Sequence, residues 1–407
     1  MLVGIPSEIK TGERRVALAP ANVQSLTEKG VQILLQSGAG VSAGYPDAEY
    51  VKAGATLVDR REQIFSDAEI VLQVQSFGAN NENSDSDLKL LRQGQLVIGM
   101  MDPLASPQAA QTVASTGATA IALELVPRIS RAQSMDVLSS MATLSGYKAV
   151  LMGASASPRI FPMLMTAAGT LQPARVLIMG VGVAGLQACA TAKRLGAVVE
   201  AYDVRPAARE QIISVGAKPI ELDLDTGESE GEGGYAKEQG DDFLRRQREQ
   251  MIAVVAEQDI IITTAAIPGA KSPILVTEEM VKAMKPGAVI VDLAAERGGN
   301  CDLTEQGKTI TAHGVTIIGP ENVPSELAFH ASQMYGKNMQ TLLELILDDS
   351  GNLQLNFDDE IVAGTVVAYQ NDVPHAYMRK ILGLPEITEV TTPEQETAED
   401  TTAIDQK

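Results

Sequence analysis

A strand-like run, Arg175–Met179 (RVLIM), leads directly into Gly180-Val181-Gly182-Val183-Ala184-Gly185, and helical periodicity follows over Leu186–Leu195. A GxGxxG segment between a strand and a helix opens a βαβ unit, so it points to a doubly wound parallel sheet. Each glycine has its own steric reason. Gly180 permits the tight turn, Gly182 lets the backbone approach a pyrophosphate, and Gly185 lets the helix pack closely on the strand. The helix N-terminus at Val183 then offers free N–H groups and a positive dipole end to phosphate. An acid is expected at the end of the next strand, about 20 residues on, for the adenosine ribose hydroxyls. Asp203, followed by Val204 and Arg205, lies 18 residues after Gly185. A carboxylate there favours NAD(H) because it repels the extra phosphate of NADP(H). Arg205 would serve that phosphate, and the acid is weighed more heavily. The same residues are compatible with a ligand-free turn, or with FAD or S-adenosylmethionine in a similar fold.

The rest of the chain supports an α/β class with two Rossmann-like doubly wound parallel-sheet domains joined by long helices. Aromatics are 3% of the 407 residues and Trp is absent, so the core is aliphatic, which suits parallel sheets covered by helices. Leu2–Ile5, Val31–Gln36, Ile70–Val74, Leu96–Met100 and Ala118–Leu123 read as strands of a first series. Pro20 opens a helix and Gly30 closes it, while Ala79–Asp87 reads as a polar loop. After Arg175 a second series follows: Val198–Asp203, Lys218–Leu222, Asp259–Thr264, Ala288–Leu293 and Val315–Ile318. Ser134–Ala156 and Ser325–Leu347 read as long helices, one leaving the first domain and one returning to it, and Leu353–Phe357 and Ile361–Tyr369 as short β structure. The expected division is 1–137 with 325–384 as one domain, 138–324 as the nucleotide domain, and 385–407 as a disordered acidic tail.

The formal charge of −20 argues against duplex nucleic acid and against anionic lipid as partners. It is concentrated: Asp223–Asp242 carries eight acids and one Lys, and Glu386–Lys407 seven acids and one Lys. Two cysteines, Cys189 and Cys301, are too few for a disulfide scaffold and read as small buried apolar residues. His313, His330 and His375 show no ligand spacing, so no metal site is expected. No segment reads as a secretory signal or a membrane span, so the chain reads as cytosolic and soluble.

Three further segments are candidates for chemistry. Thr263-Thr264-Ala265-Ala266-Ile267-Pro268-Gly269 follows a strand and would border a bound nicotinamide, or be an ordinary turn. Pro127–Ser139 (PRISRAQSMDVLS) offers Arg128, Arg131, Gln133, Ser134, Asp136 and Ser139, a set able to fix an amide, a ribose and a phosphate. Its plainer reading is Ser134 as a helix N-cap with solvated arginines. Ser229–Gly240 is glycine-rich and acidic with Tyr235 at its centre, either a surface insertion or a mobile lid.

Taken together, GIPSEIKTGERRVALAP, RISRAQSMDVLSSMA, MTAAGTLQPARVLIMGVGVAGLQA, GGYAKE, TTAAIPG, KPGAVIVDLAAERGGNC and NVPS resemble the NAD(H)-binding component (domain I, alpha subunit) of proton-translocating nicotinamide nucleotide transhydrogenases. The resemblance extends to about Leu384, and alanine dehydrogenase shares the fold. Alanine dehydrogenases carry a Lys in the loop after AxxVxxV and a His after the next strand. Here Gln73 and Gln75 stand at the Lys positions and Met100-Met101-Asp102 follows the strand, although Arg15 is retained. A carboxylate clamp lacking those acid–base groups does not suit keto-acid redox chemistry.

The resemblance implies that Arg128, Gln133, Asp136 and Ser139 hold the nicotinamide end and do the catalytic positioning. It further implies that Gly180, Gly182, Val183, Gly185, Asp203, Val204, Arg205, Gln247 and Ala266 complete the NAD(H) site, with Gly234 and Tyr235 in the lid. It implies a Re/Si-specific, proton-translocating NAD(P)⁺ transhydrogenase. It implies that hydride passes from NADH to NADP⁺ held on a separate beta subunit. The resemblance likewise implies a homodimer, cytoplasmic and peripheral to the inner membrane through an anchoring subunit. The longest family members continue into membrane helices where this chain has its acidic tail, so it looks like the separate soluble subunit. An alanine-type dehydrogenase and a non-enzymatic NAD-binding regulator are the competing readings.

Overall fold

A computed structural model describes residues 1–222, 241–267, 269–348 and 350–386, apart from the side chains of Asp241 and Leu244. The expected lid with Gly234 and Tyr235, and all but the first two residues of the expected tail, lie outside the described residues.

The first sheet contains β1 (Leu2–Ile5), β2 (Gln32–Gln36), β3 (Thr56–Val58), β4 (Ile70–Gln75), β5 (Leu96–Met100) and β6 (Thr119–Ala122). After a small hairpin of β7 (Leu164–Thr166) and β8 (Gly169–Leu171), the second sheet is built from β9 (Arg175–Met179), β10 (Val198–Tyr202), β11 (Lys218–Pro219), β12 (Ile260–Thr263), β13 (Val289–Asp292), β14 (Lys308–Ala312) and β15 (Val315–Gly319). The chain then returns to the first sheet as β16 (Val366–Ala368). The strand orders are β16-β6-β5-β4-β1-β2-β3 and β11-β10-β9-β12-β13-β15-β14. All pairings within these two sheets are parallel except β16 with β6 and β14 with β15.

Both faces of each sheet are buried, which is why its central strands read as unbroken aliphatic runs. Successive side chains alternate between two cores. Ile70, Leu72 and Val74 enter one cluster while Val71 enters the other. In the second sheet Val176 and Ile178 face one cluster, and Leu177 and Met179 the other. Two long helices join the halves. Val137–Ala156 contributes Val137 and Met141 to the first core and Ala149 and Val150 to the second. Ala328–Ile346 places Ala331, Tyr335, Met339, Leu342 and Leu343 back in the first. The doubly wound α/β architecture is therefore as expected. Cys189 and Cys301 are buried, and burial pushes their thiols up to about 12 and about 11.

Several local expectations are corrected. Ile361–Tyr369 is not one strand: Asp359 caps a short helix, Glu360–Thr365, by accepting from the Ile361 N–H, and only Val366–Ala368 is extended. Leu353–Phe357 forms no strand, only an isolated bridge from Leu353 to Leu347. The polar stretch Ala79–Asp87 ends in a helix, Ser84–Leu88, because Arg61 and Gln73 bury the Asp87 carboxylate.

Candidate functional site

The glycine loop emerges at the C-terminal end of β9, in the middle of the second sheet. Gly180 has φ +91°, a left-handed conformation that favours glycine, and a Cβ there would lie 2.9 Å from the Ala265 nitrogen. A Cβ on Gly185 would lie 2.0 Å from the Gly180 carbonyl oxygen, so only glycine lets the helix start so near the strand. Gly182 differs. It has ordinary extended dihedrals, and nothing lies within 4 Å of the place its Cβ would take. It stands at the N-cap of the Val183–Arg194 helix without a side-chain cap, so the helix's first N–H groups face open space. This open cradle at a helix N-terminus suits a pyrophosphate.

Asp203 follows β10 beside the loop. Its Oδ2 accepts the Val181 N–H at 2.7 Å, and Arg205 donates to both carboxylate oxygens at 2.9 Å. Arg205 also donates to the Val181 carbonyl at 3.1 Å. The acid, the arginine and the glycine loop thus form one bonded unit, with the Arg205 charge folded against Asp203. Gln247 lies behind this surface. Its amide is buried and donates to Tyr202 Oη at 2.8 Å, while its Oε1 has no hydrogen-bond partner among the described residues.

The loop after β12 closes the other side. Thr264 Oγ1 donates to the Gly180 carbonyl at 2.8 Å, and Ala266 is exposed beside it. Residues that the motif reading left without a role hold this loop. Asn300 accepts the Ala265 N–H at 3.0 Å and donates to the Ala265 and Pro273 carbonyls, both at 2.8 Å. Asn300 is held in turn by Asp292, a fully buried carboxylate that accepts from the N–H groups of Ala294, Asn300 and Cys301 and from the hydroxyls of Thr263 and Thr304. The GGN of KPGAVIVDLAAERGGNC carried the signal. Gly298 and Gly299 both have positive φ, and a Cβ on Gly299 would lie 2.9 Å from Asp292 Oδ2.

The Pro127–Ser139 segment is a 3-10 turn, Ser130–Met135, that runs into the Val137–Ala156 helix. Asp136, not Ser134, is the N-cap: its carboxylate accepts the Ser139 N–H at 2.9 Å and the Ser139 hydroxyl at 2.6 Å. Arg131 is tied to Asp359 at 2.6 and 2.8 Å, and Asn338 donates to the Ser134 carbonyl at 2.7 Å. Between these anchors the Gln133 side chain is exposed, as is Arg128 at the start of the loop. The helix reaches the glycine loop's own helix at Gly146, where a Cβ would lie 2.0 Å from the Ala184 carbonyl oxygen. Ten residues separate Asp136 from Gly146, a rise of about 15 Å along the axis. Asp136 and Ser139 are thus joined rigidly to the cradle yet stand well away from it.

In the first half, Arg15 is buried with its guanidinium on Glu13 at 2.6 and 2.8 Å and on Asn322 at 3.1 Å. Gln75 accepts from Lys10 at 2.6 Å and donates to Glu13 at 2.7 Å. Burial alone would raise the Glu13 carboxyl, but the Arg15 charge and the bonds from Arg15 and Asn322 bring it down to about 2. Glu8 accepts from the Val74 and Gln75 N–H groups, and burial together with the Glu13 charge pushes it up to about 8.

Residues 4–145 match the family described as Alanine dehydrogenase/PNT, N-terminal domain, and residues 149–376 match Alanine dehydrogenase/PNT, C-terminal domain. The chain belongs to the alanine dehydrogenase/PNT family. It is 46% identical over 377 residues, 92% of this chain and 98% of the relative, to an NAD(P) transhydrogenase subunit alpha component of Rhodospirillum rubrum. It is 32% identical over 339 residues, 80% of each, to alanine dehydrogenase of Bacillus subtilis. A crystal structure of transhydrogenase from Sinorhizobium meliloti superimposes with a TM-score of 0.80 at 41% identity, over 93% of this chain and 100% of that one. An L-alanine dehydrogenase follows at 0.76 and 25%, over 94% and 99%. The resemblance read from the motifs is borne out. The alanine dehydrogenase/PNT family is one of NAD(H)-binding oxidoreductases, and this member is more similar to the transhydrogenase alpha component than to alanine dehydrogenase, 46% against 32% identical. No helix among the described residues is long and apolar enough to cross a membrane.

Proposed function

We propose that this chain is the NAD(H)-binding component of a Re/Si-specific, proton-translocating transhydrogenase, and that it presents its nucleotide to NADP(H) held on a separate subunit. The observation that carries this reading is the bonding around Arg15. Arg15 and Gln75, at positions that the alanine dehydrogenase comparison assigns to keto-acid chemistry, are instead engaged by their neighbours: Arg15 donates to Glu13 and Asn322, and Gln75 accepts from Lys10 and donates to Glu13. No His follows β5, where Met101 and Asp102 stand.

In this reading the division of labour is 1–137 with 325–384 on one side and the nucleotide domain 138–324 on the other. The Val183–Arg194 helix N-terminus and Gly180, Gly182 and Gly185 receive the pyrophosphate. Asp203, with Val204 and Arg205, holds the adenosine ribose, and Gln247 supports that side through Tyr202. Arg128, Gln133, Asp136, Ser139 and Ala266 hold the nicotinamide end, and Gly234 and Tyr235, which the resemblance adds to the site, lie outside the described residues. Bound dihydronicotinamide supplies a hydride from its C4 position. Transfer to a second nicotinamide moves no proton at the reacting carbons, so none of these side chains has to act as acid or base. Their task is to fix the ring and exclude water. A homodimer is favoured by the exposed apolar hairpin: Met163, Leu164, Met165 and Leu171 are exposed along β7 and β8. The beta subunit and an anchoring subunit would hold the complex at the inner face of the membrane.

The test is nucleotide titration and turnover with and without the NADP(H)-binding partner. The chain alone should bind NADH without reducing pyruvate in the presence of ammonia. Hydride transfer to an NADP⁺ analogue should appear only when the partner is added. Gln133→Asn should leave NADH affinity nearly intact and slow transfer. Turnover of pyruvate and ammonia by the chain alone would overturn this function.

A further inference from the structure

The two halves of the molecule have separate cores, so contacts between them set the spacing of the crevice. One such contact lies immediately after β5. Glu124 accepts the Met101 N–H at 2.8 Å and the Asp102 N–H at 2.7 Å on the same oxygen. These bonds hold Asp102 at φ +47°, a conformation that Asp tolerates better than most residues. The Asp102 carboxylate then accepts from Arg297 Nη2 on the turn after β13, across the divide between the sheets. Two residues on, Leu104 lies against the loop after β12: a Cβ on Gly269 would come within 2.6 Å of Leu104 Cβ. Arg297 is continuous with the clamp already described. Its carbonyl accepts the Ser272 N–H at 2.9 Å, and Asn300, three residues further on, grips Ala265.

We propose that Asp102 is a positioning residue: through Arg297 it sets the spacing between the two halves and holds the Thr264–Ile267 segment against the glycine loop. The path runs from Glu124 to Asp102 and Arg297, along the backbone of the Gly298-Gly299 turn to Asn300, and from there to Ala265 and the Gly180 turn. Asp102 and Arg297 are 29% and 35% exposed, so the pair is an edge contact that breaks and reforms more readily than the buried clamp. The consequence for hydride transfer rests on the proposed function, which puts the nicotinamide beside this loop. The effect on spacing does not.

The experiment uses the full chain, with the NADP(H)-binding partner for the kinetic arm. Ser115→Cys and Lys308→Cys carry spin labels on the two halves, since both positions are exposed and the native cysteines are buried. Asp102→Asn, nearly isosteric and suited to the same backbone, and Arg297→Gln each remove the ion pair, while Arg297→Lys keeps a cation. The expected result is a longer or broader label distance for Asp102→Asn and Arg297→Gln, with and without NADH. Hydride transfer should fall about tenfold while NADH affinity stays within about twofold, the mark of misplacement rather than lost binding. Arg297→Lys should recover most of both. An unchanged distance distribution in both variants, or rate and affinity falling in parallel, overturns the proposal. Failure of the unsubstituted chain to bind NADH would refute the proposed function, and the distance measurement would still decide the role of Asp102.

Discussion

Asn300 makes both hydrogen bonds of the Ala265 backbone, accepting its N–H at 3.0 Å and donating to its carbonyl at 2.8 Å. An amide side chain presents an acceptor and a donor side by side in one plane, which matches the N–H and C=O of a single residue. Asn300→Asp would set a carboxylate against two carbonyl oxygens in a buried site. The expected cost is about 2–4 kcal/mol of stability, from the two lost bonds and a buried charge left with the Ala265 N–H as its one donor from this loop. NADH affinity should fall with it, because the Thr264–Ile267 wall loses its anchor. Denaturant unfolding together with NADH titration checks this, and a variant matching the parent in both would remove Asn300 from the site.

The three glycines of the loop should separate in experiment. Gly182→Ala meets no protein atom and keeps its dihedrals, so the unfolding free energy should change by no more than about 0.5 kcal/mol. NADH affinity should fall at least about tenfold, because the methyl fills the cradle a pyrophosphate would enter. Gly185→Ala meets the Gly180 carbonyl and should lose both binding and about 2–3 kcal/mol. If Gly182→Ala binds NADH normally, the cradle is not the phosphate site.

Asp203→Ala removes a carboxylate that holds both Val181 and Arg205. NADH affinity should drop about tenfold or more, in line with loss of a charged hydrogen bond to the ribose. Arg205 would be released at the same time, so the preference for NADH over NADPH should narrow. Parallel fluorescence titrations with the two nucleotides test this, and unaltered NADH affinity would contradict the ribose assignment.

The pH dependence of stability should have two opposed parts. Glu13 is held down at about 2 in the folded chain, below its unfolded value of 4.5, so its contribution is present above pH 4.5 and lost as pH falls towards 2. Glu8 and Glu124 are raised by burial to about 8 and about 7, so their contribution is complete below pH 4.5 and lost as pH rises through 7 to 8. Glu8→Gln and Glu124→Gln should each flatten the alkaline decline, and Glu13→Gln the acid one. Unfolding curves between pH 3 and pH 9 provide the check, and an unchanged alkaline slope in both variants would mean these carboxyls titrate normally.

What the chain's own pattern settled was local. Unbroken aliphatic runs, Pro20 at a helix start and the strand–GxGxxG–helix sequence each report on a few neighbouring residues, and the parallel sheets and the glycine loop followed from them. Short segments were harder to read. Ile361–Tyr369 is apolar enough for a strand, and only the capping bond from Asp359 turns its first half into helix. The edge strand β14 is largely exposed and carries no burial pattern to recognise. What the tertiary structure alone decided is which polar groups meet. Arg15 finds Asn322, Asp102 finds Arg297, and Gly146 makes room for Ala184. Such pairs lie tens to hundreds of residues apart, and no propensity or spacing encodes them. They exist because two separately packed sheets are held in one arrangement, and a buried donor or acceptor must be satisfied by whatever that arrangement brings alongside it.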